Sequence, residues 1–142
     1  GLKYLRNISN IIKNNTGGLL IIDYGYTEKK MKDTLQAVSN HKFVNILDNI
    51  GNSDITHNIN FELFKKFVNQ ISGLENNLTT QRNFLINMGI EKRAEIISKN
   101  QSFLKKADMF YRIKRLIDVK QMGTLFKVML IKNKENKFKL GF

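Results

Sequence analysis

The chain has 142 residues, 42% of them apolar, which is enough for one globular domain with a single core and too few for several. It has no cysteine, so a disulfide framework, a thiolate metal site, a cysteine nucleophile and thiol redox chemistry are all excluded. With only two histidines, His41 and His57, a structural zinc site is not expected either. Lys and Arg number 24 against 12 acids, a formal charge of +12, and residues 101–142 hold eleven of those cations and three of the acids. Such a balance suits a polyanion or an anionic membrane surface. Composition supplies a second cause: Lys (19), Asn (18) and Ile (17) can all be encoded with A and T alone, and Pro is absent, as in a strongly AT-biased genome. No run approaches the ~20 apolar residues of a membrane span, and GLKYLRN lacks the apolar block of a secretory signal, so a soluble, unexported protein is expected.

In chain order, Leu2, Leu5, Ile8 and Ile12 recur at helical spacing, and Asn14 to Gly18 stop that helix. The uninterrupted LLIID that follows predicts a strand covered on both faces, as in a parallel sheet. Helix, glycine turn and buried strand form an α/β unit. In open α/β sheets the ligand crevice lies at the carboxyl ends of the strands, which is where Asp23, Tyr24, Gly25 and Tyr26 fall. Residues 27–59 are polar and rich in turn formers, a connection too long to be mere spacing. Asn60 is expected to cap a helix with Phe61, Phe64, Phe67, Val68 and Ile71 on one face, ending at Gly73. Leu74 to Thr79 reads as a short strand, and Thr80 as the cap of QRNFLINMG, closed by Gly89. Helical spacing continues to the break at Met122-Gly123. LFKVMLI, apolar with a lone lysine, is a second strand, and the charged tail NKENKFKLGF is expected to be surface or frayed. Burying LFKVMLI requires it to reach back from about Met129 to Ile21.

The segments GGLLIIDYGY, DTLQAV, HKFVNILDNIG, SDITHNINF, TQRNFLINMGI and MGTLFKVMLI stand in this order across residues 17–131. Together they resemble the C-terminal half of the MidA-like methyltransferases, an S-adenosylmethionine-dependent family that includes a mitochondrial complex I assembly factor acting as a protein arginine methyltransferase. The resemblance implies the C-terminal half of a Rossmann-like α/β fold, a single partial domain over 1–142. LLIID would be a late parallel strand, Leu74 to Thr79 the next, and LFKVMLI the antiparallel strand closing the edge. Residues 26–60 would be a substrate-side insertion and 80–121 a helical one. The implied cofactor is S-adenosyl-L-methionine, the implied substrate a protein, and the implied compartment a bacterial cytoplasm or a mitochondrial matrix. In the family the donor is held by a glycine-rich loop after the first strand and an acidic residue after the second, both upstream of the GGLLIIDYG block. Here Gly17-Gly18 precedes a strand, so it is not that turn. The chain reads as half a methyltransferase: a fragment, a split gene product or a decayed remnant, with the missing half or a second copy as a partner.

Each candidate residue has a chemical and a structural reading. Asp23 is placed to accept hydrogen bonds from a donor amine or a substrate guanidinium, or else to cap backbone amides at the strand end. Tyr24 and Tyr26 would stack on a ligand or pack, and Gly25 would let the chain turn sharply. His57 would take a proton from an attacking nitrogen, or sit as a surface imidazole beside Asp54 and Thr56 in their turn. Asp33 and Thr34 are divided between substrate contact and turn, and Gln81 between cleft and helix start. The Met and Phe stripes are core, and the cations from Lys105 to Arg115 a solvated helix face. A non-catalytic interaction module is the alternative to the enzyme, and nucleic-acid binding, supported by charge alone, is the weakest reading.

Overall fold

A computed structural model describes residues 1–142. The chain runs α1 (Leu2–Asn14), β1 (Gly18–Tyr26), β2 (Gln36–Ser39), β3 (Lys42–Val44), β4 (Asp54–Thr56), β5 (Ile59–Asn60) and α2 (Phe61–Asn69). It continues through β6 (Leu74–Thr80), α3 (Gln81–Asn87), α4 (Ile90–Ser98), α5 (Phe103–Ile117), the single turn α6 (Met122–Leu125) and β7 (Phe126–Asn133). Local chemistry sets several of these boundaries. The Asn60 carboxamide oxygen accepts from the Leu63 amide at 3.0 Å, and the Thr80 hydroxyl accepts from the Asn83 amide at 3.2 Å, so α2 and α3 both carry side-chain caps. Gly89, at φ +79, makes the left-handed joint between α3 and α4.

The main sheet has the order β5-β1-β7-β6. Antiparallel pairing joins β1 to β7 from Gly18↔Lys132 to Tyr24↔Phe126, including the expected Ile21↔Met129, and joins β7 to β6 from Leu74↔Asn133 to Thr80↔Lys127. The strand β7 is thus antiparallel, as expected, but it lies between β1 and β6 instead of closing the edge. β1 and β6 run parallel to each other with β7 inserted between them. On its other side β1 meets only β5, in parallel, at Gly25↔Ile59 and Tyr26↔Asn60.

The core lies on one face of this sheet. Leu5 and Ile12 of α1 and Phe61 and Val68 of α2 pack on Leu74, Met129 and Ile131, with Leu19 and Ile21 against them. On the opposite face Val128, Leu130 and Lys132 of β7 are buried, whereas Leu20 and Ile22 of β1 are 44% and 49% exposed. The expectation that LLIID is covered on both faces is therefore corrected: its odd residues are packed and its even residues are half bare.

Two further expectations are corrected. Residues 27–59 contain a second, three-stranded antiparallel sheet of order β3-β2-β4, whose strands of three or four residues carry too little pattern to stand out. The tail is largely exposed over residues 134–140, as a surface segment should be, but it is not frayed at its end. Gly141 is buried against Phe84, where a Cβ would come within 2.3 Å of the ring, and the Phe142 and Phe84 rings lie 5.4 Å apart. No helix is long and apolar enough to cross a membrane.

Candidate functional site at the carboxyl end of β1

Tyr26 ends β1 buried, and its hydroxyl accepts from the Lys32 amide at 3.1 Å while the Lys32 ammonium sits 5.3 Å from the ring centroid. These contacts fold residues 31–35 back over the strand end. The Thr34 hydroxyl then accepts from the Asn58 amide at 3.0 Å, tying this loop to the segment before β5. Between them lies a cavity of about 410 Å³, walled by Tyr26, Met31, Asp33, Thr34, His57, Asn58 and, from α2, Leu63 and Phe64. Four of the candidates, Tyr26, Asp33, Thr34 and His57, are brought together here. The Asp33 carboxylate accepts from the Leu35 amide at 3.4 Å, a weak turn contact that leaves most of its lone pairs free. His57 is exposed at the rim, with Nδ1 3.4 Å from the Asn58 carbonyl.

The other candidates serve the surrounding scaffold in this arrangement. Asp23 is half-buried and one of its oxygens accepts from the Tyr24 amide at 2.8 Å. Tyr24 packs edge-on against Phe126, with centroids 5.7 Å apart. Gly25 makes no sharp turn: it continues the strand. A Cβ there would lie 2.3 Å from the Ile59 carbonyl oxygen and 2.8 Å from the Phe61 ring, so glycine is required by close approach of β5 and α2. Thr56 accepts from the Gln36 carboxamide at 3.0 Å across β2 and β4, and Asp54 is exposed on β4. Gln81 is buried, its amide donating to the Leu116 carbonyl at 2.9 Å, which turns it toward α5 and away from this cavity.

Lys127, the lone lysine of the LFKVMLI run, was not among the candidates. It pairs in register with Asp23 on one side and Thr80 on the other, so the three form a row near the carboxyl ends of β1 and β6. Its ammonium donates to the Thr124 carbonyl instead of pairing with Asp23. Burial pushes its pKa down, opposed by the charge of Glu28. Glu28 is itself held below the usual carboxylate range by the hydrogen bond from Lys32. A lysine interrupting an apolar strand was the available signal, and its meaning depended on which strand lay beside it.

These residues do not by themselves make a site for S-adenosyl-L-methionine. The Gly17-Gly18 pair lies at the opposite end of β1 from the cavity, and the one glycine at the carboxyl end, Gly25, has its open side filled by Ile59 and Phe61. A larger depression of about 760 Å³ lies between α4 and α5, lined by Arg82, Glu91, Glu95, Phe110 and Lys114 among others, and none of the candidate residues faces it.

Comparison with known proteins agrees with this architecture. The sequence profile of a family described as "Putative S-adenosyl-L-methionine-dependent methyltransferase" matches residues 1–80. The mitochondrial protein arginine methyltransferase NDUFAF7 of Xenopus tropicalis is 28% identical over 124 residues, which cover 87% of this chain and 28% of that protein. Its Danio rerio counterpart is 28% identical over 130 residues, 91% of this chain and 30% of the relative. A Burkholderia thailandensis crystal structure that holds S-adenosyl-homocysteine superposes with a TM-score of 0.77 at 24% identity, covering 99% of this chain and 37% of that one. The chain thus spans well under half the length of the proteins it matches. On the profile match over more than half its residues, together with this fold, the chain belongs to the MidA-like family of S-adenosyl-L-methionine-dependent methyltransferases.

Proposed function

We propose that this chain forms the substrate-side part of an S-adenosyl-L-methionine-dependent methyltransferase whose substrate is an arginine of a protein, of the respiratory complex I subunit type that the family resemblance implies. The carrying observation is the cavity at the carboxyl end of β1, where Asp33, Thr34, Tyr26 and His57 converge. A guanidinium entering it meets a carboxylate with free lone pairs at Asp33 and the apolar walls of Met31, Leu63 and Phe64 for its methylene stem. Asp23 keeps one uncommitted oxygen on the same strand end. The chain's contribution is to orient a guanidinium nitrogen and exclude water around it. The donor is held by residues outside those described.

Titrating the 142-residue chain with an arginine-containing peptide, followed by NMR, is the test. Amide shifts at Tyr26, Thr34 and Asn58, absent with the lysine counterpart and lost in Asp33→Asn, are expected, while S-adenosyl-L-methionine alone gives no micromolar heat of binding. Equal shifts with both peptides would remove the arginine assignment.

The second reading, a non-catalytic interaction module, is favoured by the flank of β1. From Gly18 to Tyr24 that strand is paired on one side only, with Leu20 and Ile22 half-exposed, an edge that accepts another strand. Concentration-dependent association of the isolated chain in sedimentation equilibrium, abolished by Ile22→Lys, supports it.

A further inference from the structure

We propose that the tip of the α4–α5 hairpin is a docking surface for an anionic lipid bilayer, a property separate from methyl transfer. The hairpin is held chiefly by the packing of α5 on α3 and α6, so its tip stands away from the main sheet. Around that tip Ile96 and Ile97 at the end of α4 are 58% and 49% exposed, and Phe103 and Leu104 at the start of α5 are 83% and 78% exposed. The polar turn between them carries Lys99, and Lys105 and Lys106 follow at once. No acid stands between Glu95 and Asp108. Four apolar side chains are thus ringed by three cations of uniform sign.

Charge complementarity and shape together select the partner. None of the four apolar side chains lines any of the five main cavities, and a phenylalanine this exposed has few walls of its own chain around it. A protruding apolar tip needs a medium that yields to it, and the acyl boundary of a bilayer does so while lysines stay at the phosphates. Another exposed apolar group makes the contrast: Phe43, Leu47, Ile50 and Ile55 are interspersed with Asp48 and Asp54, which an anionic surface would repel.

The chain contains no tryptophan, so Phe103→Trp places a single indole at the tip of the otherwise unaltered full chain. Its emission is expected to shift to the blue with vesicles of equal parts phosphatidylcholine and phosphatidylglycerol and to stay unchanged with phosphatidylcholine alone. In co-sedimentation with the anionic vesicles, Phe103→Ser combined with Leu104→Ser should lose at least about tenfold in partitioning, and Lys105→Gln roughly fivefold. Phe43→Ser should bind as the parent does. Circular dichroism checks the fold of each variant, all of them changed at exposed positions. Undiminished binding of the double serine variant, showing that the net charge alone holds the chain, would overturn the proposal. An indole shift with polyglutamate but not with vesicles would overturn it too, assigning the tip to an acidic protein.

Discussion

The two faces of the main sheet are built from the same kind of residue and end in different states. Along β1, Leu19 and Ile21 turn toward α1 and α2 and join the core, while Leu20 and Ile22, one residue on, are half-exposed. The difference is in what the chain lays over each face: two amphipathic helices over one, and over the other α3 and the returning tail, which cover β7 and leave Leu20 and Ile22 of β1 half bare. On that second face a cavity of about 520 Å³ opens beside Leu20, Leu130 and Phe138. An apolar strand therefore does not guarantee its own burial. The covered face stabilises this chain, and the bare face is surface offered to something else.

Substitution on each face makes the contrast measurable. Phe61→Ala, at a fully buried side chain between α2 and the β1–β5 joint, should cost about 3–5 kcal/mol in denaturant unfolding. Ile22→Ala on the bare face should cost under about 1 kcal/mol, since half its surface already meets water. Equal losses would show that the second face is packed in solution. An effect between these two is expected from Gly25→Ala. The added methyl meets the Ile59 carbonyl at 2.3 Å, and backbone yields less readily than a flexible side chain, so a loss of about 1–3 kcal/mol is expected. Chemical-shift changes should centre on Ile59 and Phe61 and fade toward β6. An unchanged midpoint would mean that β5 is free to move away, and the cavity wall with it.

How much of this was legible follows from the range of each interaction. The α1 helix, the caps at Asn60 and Thr80 and the two long strands depend on neighbours within a few residues, and all of them are where the pattern places them, although of the α1 stripe Leu5 and Ile12 are buried while Leu2 and Ile8 are exposed. The position of β7 between β1 and β6 depends on pairings across 47 residues at the least, from Thr80 to Lys127, and 114 at the most, from Gly18 to Lys132, and an apolar strand looks alike at an edge and inside. LLIID hid its asymmetry because both of its faces are apolar, so no alternation marked the bare one. The small sheet was missed because its register rests on contacts such as Gln36 with Thr56, twenty residues apart. At the site, Asp33, Thr34 and His57 stood out as polar blocks, whereas Asn58 and Leu63 entered through the fold. Lys127 acquired its meaning only from Asp23 and Thr80 in register beside it.

The second face also holds the one charged side chain buried under the tail. Lys132 is 2% exposed at its side chain, on the same face as Leu130, where the core face has Ile131. Its ammonium meets the Glu75 carboxylate at 2.9 Å and donates to the Asn136 carbonyl. The hydrogen bond from Lys132 holds the Glu75 carboxyl below its ordinary value of 4.5, against a smaller opposing effect of desolvation. A carboxyl with a lowered folded pKa contributes stability that is fully present above its unfolded pKa and is lost as pH falls through the folded one. Glu75→Gln should therefore be less stable than the parent at neutral pH, and the gap should narrow as the pH is taken from above 4.5 to below it. Comparing parent with variant cancels the other carboxyls, which titrate in both. Because Glu75 is 40% exposed, added salt should shrink the gap at neutral pH, while the buried Lys132 keeps it from closing. A gap that stays constant with pH would show that Lys132 is held by the Asn136 carbonyl alone, leaving the second face tied down by the tail without help from β6.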